Sequence, residues 1–548
     1  MGPTVMKVLW FLLLIGPLIT IHELGHFLVA KAFKVKVLRF SIGFGPRLLG
    51  FTYGETEYQI AALPLGGYVK MAGDDPSEPS RPADRRRGFL DQPPWKRSLI
   101  ALAGPFTNLA FPVLIYFCVN YFQVVAPSTR VGDVDPDFPA YAAGLRDGDR
   151  IAAIDGTPVH YFDDLRDLIA PKWDKPIHID VERPDGTRFT TTATPRKVMV
   201  PGILHDAPKG LLGISARQRA AVVAVAGPGS AAGRAGLQSL DRITQVGDQP
   251  VALFKDLERA FAQQKGPLAV SYLRAAPLGT PGAATGTLVL HHTTLTPVAG
   301  ADLEARTGLA EATTVITQVA PGSPAARAGL RRGDWVRTAG GKPLSSWSTL
   351  ERLRLQAKLT PIDLGVLRGG ALIHVPVTQT NITQQNERGK DQTVLYFGAL
   401  PDQTDEPAEL IAIHKGVWGS LSEALQVVPQ VTSTVVQAVV GLLTNQVSPK
   451  TMGGPVMLFD IASKTAQAGW DVFLGAMAAI SINLGIMNLI PVPVLDGFTI
   501  LSAGFEWVRR RPLSLRTREI ANAVGLVMLL IMMVYVLQND LVNYVFKK

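Results

Sequence analysis

Four stretches of this chain, roughly 8–30, 98–122, 471–494 and 521–541, stay apolar over the length a bilayer asks of a helix, about 20 residues. No other feature constrains the fold as much. In lipid a crossing segment must satisfy its own backbone, so the membrane part is α-helical. A fifth stretch, 424–444, is uncharged but rich in Gln, Thr and Ser, with Pro429 near its start, and is read as an amphipathic or packed helix. Basic residues decide between four spans and five. Segment 31–97 holds twelve Lys and Arg, including Arg85-Arg86-Arg87, and the loop after 494 carries Arg509, Arg510, Arg511, Arg516 and Arg518. The positive-inside rule puts both in the cytoplasm, which four spans allow and five do not. Both termini and the long region between the second and third spans are then extracytoplasmic. The formal charge of +9 is a topology signal on this reading, and no nucleic-acid partner is expected.

The first apolar run contains His22-Glu23-Leu24-Gly25-His26. Histidines four apart project from one helix face a turn apart, spaced to grip one zinc ion, and Glu23 beside them is placed to take a proton from water. The bare HExxH pattern also arises by chance on soluble helices. Inside a span, however, each ionisable residue is costly, and three together point to function. The run can also be read as a signal peptide, with Lys7 before it and Ala30-Lys31-Ala32 after it, but cleavage there would discard the histidines. The single cysteine, Cys118, permits no disulfide within the chain, so the extracytoplasmic part must be held by packing.

The third apolar stretch ends in Asn483-Leu484-Gly485-Ile486-Met487-Asn488-Leu489-Ile490-Pro491-Val492-Pro493-Val494-Leu495-Asp496-Gly497. Asp496 is the only carboxylate among these fifteen residues and supplies what His22 and His26 lack, a third ligand that leaves the fourth zinc position open. Asp-Gly can also be a plain turn, and the asparagines interhelical contacts. Prolines that break a helix at membrane depth favour a functional cavity. The other histidines (160, 178, 205, 291, 292, 374, 414) show no ligand spacing beyond the adjacent pair 291 and 292.

Residues 51–53 and 57–63 read as strands, 64–67 as a turn and 68–71 as a strand pairing back. This is an ordinary cytoplasmic hairpin or, beside the histidine helix, a sheet edge on which Gln59 and Ile60 pair with an extended peptide.

Between the second and third spans a pattern repeats. Ala143-Gly144-Leu145 with Asp149-Arg150-Ile151, Ala235-Gly236-Leu237 with Asp241-Arg242-Ile243, and Ala328-Gly329-Leu330 with Asp334-Trp335-Val336 recur 92 and 93 positions apart. The period suits whole modules, and the pattern resembles bacterial PDZ domains, which bind peptide ends or strands by adding them to a sheet. The resemblance implies a peptide-binding loop ahead of each copy: Leu212-Gly213-Ile214 for the second and Gly308-Leu309 for the third, with no counterpart for the first.

HELGH, NLIPVPVLDG and the inserted PDZ-like copies together resemble the site-2 protease family, as do Glu57-Tyr58, Pro64 to Met71, Trp95-Lys96-Arg97, Ala103 to Asn108 and Gly453-Gly454-Pro455. The resemblance implies a zinc endopeptidase of the bacterial cytoplasmic membrane. It would cut single-span proteins such as anti-sigma factors after a first extracellular cut by another protease, or signal-peptide remnants. It makes His22, His26 and Asp496 the metal ligands and Glu23 the base, with Asn483, Asn488, Pro491 and Pro493 holding the substrate segment. Two departures stand out: three PDZ-like copies where two are usual, and Phe498-Thr499 where Gly-His often follows the LDG.

The expected protein is a polytopic α-helical membrane protein with four transmembrane helices, a membrane-associated β-hairpin and inserted extracytoplasmic α+β PDZ-like domains. Its parts are the HExxH helix (1–37), hairpin and cytoplasmic loop (38–97), second helix (98–122), PDZ-like copies (127–205, 206–298, 299–400), a packed helical segment (401–470), the LDG segment (471–497), a cytoplasmic loop (498–520) and the fourth helix (521–548). The copies either recruit peptide ends or act as a steric gate, and a copy without a loop favours the gate. Alternatives of other classes are a membrane-tethered PDZ scaffold or quality-control receptor with a vestigial metal site, and a metal transporter.

Overall fold

The computed structural model describes residues 3–74, 86–122, 125–262, 266–276, 287–511 and 513–542; Arg85 of the basic cluster lies outside them. Helix α1 (Pro3–Ala32) carries HELGH. Strands β1 (Val37–Tyr53) and β2 (Thr56–Met71) follow, then α2 (Pro94–Phe122). The hairpin is longer and more folded than the sequence reading. Along Arg39–Ile42 the partners fall from Lys70 to Gly67 on one side and rise from Glu57 to Ile60 on the other. Residues 57–60 pair a second time with Thr52 back to Leu49. Gln59 and Ile60 therefore lie on an interior segment with neighbours on both sides, which corrects their expected place on a free edge. A Cβ on Gly67 would come 3.1 Å from Ile19 of α1, and Pro64 to Gly67 is strand rather than turn.

Three modules of one plan follow, each with a four-stranded antiparallel sheet: 150–154, 157–158, 177–182 and 188–193; 242–246, 249–250, 268–275 and 288–295; 335–339, 342–343, 362–368 and 371–377. Each adds a helix and a two-stranded pair. In the first these are β3 (Asp133–Val134), α3 (Phe162–Ile169) and β4 (Ile214–Ser215). The second has β5 (Val223–Val225), α4 (Phe254–Ala262) and β6 (Leu309–Glu311). The third has β7 (Ile316–Val319), α5 (Trp347–Ala357) and β8 (Ala399–Pro401). Each core is a separate aliphatic cluster, with Leu212 in the first, Leu309 in the second and Phe397 in the third.

This corrects the loop assignment. Ile214 pairs with Val134 and Leu309 with Val225, so the Gly213 loop closes the first module and the Gly308 loop the second. The third module's loop is at Gly398, before Ala399, which pairs with Val319. All three glycines have left-handed φ, +78°, +77° and +84°, open to glycine at little cost. Each module thus ends later than the repeat suggested, and none lacks a loop.

The chain then enters α6 (Gly416–Leu443), α7 (Pro455–Ala468), α8 (Trp470–Leu489), α9 (Asp496–Arg509) and α10 (Leu515–Asp540). Five of the described helices, α1, α2, α6, α8 and α10, are long and apolar enough to cross a membrane, against four expected. The additional one, α6, is the stretch read as a packed helix; one face lies along α2 and α8, burying Ser420, Ala424, Val428 and Gly441, while Trp418, Leu425, Val436 and Leu443 are exposed. The first half of the expected loop 498–520 is helical. Pro491 and Pro493 end α8, and the chain restarts as α9 at Asp496.

Candidate metal centre

The HELGH helix and the LDG turn meet. His22 Nε2 lies 3.2 Å from Asp496 Oδ2 and 3.2 Å from His26 Nε2, and His26 Nε2 lies 3.4 Å from Asp496 Oδ1. Atoms held about 2.0–2.1 Å from a tetrahedral zinc ion stand about 3.3 Å from one another. The donors therefore have the chemistry and the mutual spacing that zinc requires. Among the described residues these three form the one His/Cys/Asp/Glu group able to hold a metal.

Helix α2 sets the imidazoles. The carbonyl oxygen of Ile100 is 2.7 Å from His26 Nδ1, and Asn108 Nδ2 is 3.2 Å from His22 Nδ1. A histidine that ligates through Nε2 carries its proton on Nδ1 and needs an acceptor there. Ile100 supplies one to His26. Asn108 is fully buried and its Oδ1 has no partner; rotating the amide by half a turn presents that oxygen to His22. Glycines allow the close approach. A Cβ on Gly25 would meet the Ala103 carbonyl oxygen at 2.4 Å, and one on Gly104 would meet His26 Nε2 at 2.3 Å. Sequence reading assigned no role to Ile100, Gly104 or Asn108. Gly104 and Asn108 had one signal, the stretch Ala103 to Asn108 that resembles the site-2 protease family, and Ile100 had none.

Asp496 reaches the histidines because the chain reverses after α8. Val494, a β-branched residue at φ +82°, stands in the break, a conformation such residues rarely adopt. A Cβ on Gly497 would fall 2.3 Å from the Leu489 carbonyl oxygen, so only glycine fits behind Asp496. The far end of α9 is fixed by Glu506, which is buried and accepts from Arg97 of α2, Arg518 of α10 and, at 3.0 Å, the Leu513 amide. Two of the arginines read as topology signals thus form a buried ion triad.

Glu23 lines a cavity of about 320 Å³ with His22, His26, Asp496, Asn488 and residues of the hairpin. The Val69 amide is bonded to its carboxylate, and a Cβ on Gly67 would come 3.0 Å from its Cγ. Asn488 Nδ2 lies 3.3 Å from His22 Nε2. Asn483 is exposed on α8, and Pro491 and Pro493 belong to the helix break; none of the three lines the cavity. Thr499 does line it, so the departure after the LDG bears on the site.

The model of Peptidase family M50 matches residues 10–532. A protein of Neisseria meningitidis serogroup A that bears the name of a zinc metalloprotease, NMA0084, is 29% identical over 97% of this chain and 97% of its own length. The regulator of sigma-E protease RseP of Salmonella typhimurium is 28% identical over 98% of this chain and 99% of its own. The protein of the same name in Escherichia coli K12 is 28% identical over 97% of each.

Proposed function

Because the chain belongs to peptidase family M50 and is a zinc metalloendopeptidase of the site-2 type, we propose that it cuts single-span proteins within or near the bacterial cytoplasmic membrane. Anti-sigma factors already trimmed by another protease are its chief substrate class. The observation that carries this is the set of three ligand atoms 3.2–3.4 Å apart, with Glu23 beside them in one cavity.

His22, His26 and Asp496 would hold the zinc. Bound zinc supplies Lewis acidity that polarises a peptide carbonyl and lets water react near neutral pH. Glu23 takes the proton of the attacking water and returns it to the leaving amine, its carboxylate steadied by the Val69 amide. Ile100 and Asn108 fix the imidazole tautomers from behind. A substrate helix must unwind before attack, at a cost of several kcal/mol for each peptide group left unsatisfied in lipid. The hairpin segment Tyr68 to Met71, which borders the cavity, offers replacement partners, and Asn488 a further one. Four helices cross, with α6 packed against them, so that both basic loops stay cytoplasmic and the modules extracytoplasmic.

The test is Glu23→Gln in the purified full chain, with a single-span membrane substrate. Cleavage should fall at least about 1000-fold while zinc stays bound, since the ligands are untouched. Full cleavage by this variant would overturn the assignment.

A further inference from the structure

The three modules enclose a cavity of about 750 Å³ at their common centre. Contacts close the ring around it. Arg219 joins Asp133 at 3.1 Å to Asp405 at 3.3 Å, Arg337 of the third module meets Glu304 of the second at 2.9 Å, and Ser348 of the third donates to Asp135 of the first at 2.8 Å.

The lining is acidic in a chain that is basic overall. Asp133, Asp135, Asp147, Glu258, Glu311, Glu351 and Asp402 face Arg146, Arg219 and Lys255. The cations are partly committed: Arg219 to its two aspartates, although its buried Nε has no partner and its charge acts on Glu311 as well, Lys255 to Gln218 at 2.5 Å, and Arg146 to the carbonyl oxygens of Tyr141 and Leu145. Among the described residues no hydrogen bond or ion pair reaches the carboxylate of Glu311, at the end of β6. Burial pushes it up to about 7 and pushes Asp147 up to about 6. Glu311 is half-buried and feels the charge of Arg219 without bonding to it, and seven carboxylates facing three cations leave the lining an excess of negative charge for a further cation.

A second cavity, about 270 Å³, shows how such a cation arrives. It lies between α5 and β8, beside the Gly398 loop, and shares Trp347 and Glu351 with the central cavity. Its wall at Ala399 and Leu400 continues into Pro401 and Asp402 of the central wall. Among the described residues β8 pairs with β7 alone, so its other edge is open to an added strand. A strand rises about 3.3 Å per residue, so a few residues beyond the groove reach the acidic lining.

We propose that the third module's groove and the central cavity form one binding site for an extended peptide segment, with a Lys or Arg side chain seated among Glu311, Glu258 and Asp402. The site uses all three modules, which gives the additional copy a role in selecting substrate. The proposal rests on reading the modules as peptide binders and not on the zinc chemistry.

The probe is a fluorescein-labelled dodecapeptide of Val, Thr and Ser with two central lysines; its counterpart carries two glutamates. Binding is read by anisotropy on the detergent-solubilised full chain bearing Glu23→Gln, which prevents cleavage. The lysine peptide should bind at least about tenfold more tightly than the glutamate peptide, and Glu311→Gln should remove most of that difference. Binding should also tighten between pH 6 and pH 8, as Glu311 and Asp147 ionise beside Asp133, Glu258, Glu351, Asp402, Arg219 and Lys255. Glu258→Gln, away from the strand pairing, provides a second variant should Glu311→Gln fail to fold. Equal affinity for the two peptides, or lysine-peptide binding unchanged in a folded variant, overturns the proposal. So does calcium chloride bound in the cavity with no lysine-peptide binding. Failure here leaves the peptidase assignment standing, since no arm reads cleavage.

Discussion

Replacing Gly104 with alanine tests whether α2 sets the metal centre. The added Cβ would lie 2.3 Å from His26 Nε2 and 2.9 Å from His22 Cε1. Carbon contacts settle about 3.5 Å apart or more, so relief needs a shift of about 1 Å. The His26 ring cannot simply swing away, because its Nδ1 is held 2.7 Å from Ile100 of the same helix. Ligand positions in a working zinc site tolerate only about 0.2 Å. Zinc affinity should therefore fall about 10- to 100-fold, and cleavage by about 100-fold or more. The fold should survive, since alanine gains about 1 kcal/mol of helix propensity over glycine. Gly475→Ala on α8 is the control, because its Cβ would meet nothing within 4 Å. Zinc affinity is read by competition with a chromogenic chelator, and activity on a membrane substrate in the same detergent. If Gly104→Ala matches Gly475→Ala in both, the close approach of α2 is not what positions the ligands.

The buried triad yields a second prediction. Glu506→Gln leaves Arg97 buried without a counter-charge, at a cost of about 3–5 kcal/mol, and because α9 begins at Asp496 it should weaken zinc retention too; unchanged thermal stability and zinc affinity would refute this. Topology supplies the third: on a Cys118→Ser background, an impermeant maleimide applied outside the cell should label Asn445→Cys but not Arg510→Cys. Labelling of Arg510→Cys would carry α6 across the bilayer.

What the sequence made legible depended on how far each signal reaches along the chain. HELGH and the LDG turn could be read because metal chemistry admits few residue types. The module count could be read because a turn of fixed conformation repeats its glycines at 144, 236 and 329. Pairing partners were another matter. The Gly213 loop went to the wrong module because Ile214 pairs with Val134, far back in the chain, and not with the strands that follow it. Gln59 and Ile60 failed for the same reason: alternation marks a strand but does not say that Leu49–Thr52 and Arg39–Ile42 will take both its sides. The argument for a gate from a loopless copy goes with that correction, since every module has its glycine loop.

Helix α2 explains why the rest of the site was silent. It supplies no metal ligand, yet it brings the separate pieces together. Its Ile100 carbonyl and Asn108 amide orient the histidines of α1. The backbone carbonyl of Asn108 also accepts from Ser481 of α8 at 2.8 Å, and the Pro105 carbonyl lies 3.0 Å from where a Cβ on Gly485 would stand. Arg97 at its start ties down α9, which carries Asp496. These contributions are backbone carbonyls, missing side chains, one buried side-chain amide and one buried ion pair. A backbone carbonyl is present at every residue, and a glycine in an apolar helix fits many roles. Such groups acquire meaning only when a second helix lies against them, so a motif search finds the ligands and misses the helix that makes them converge.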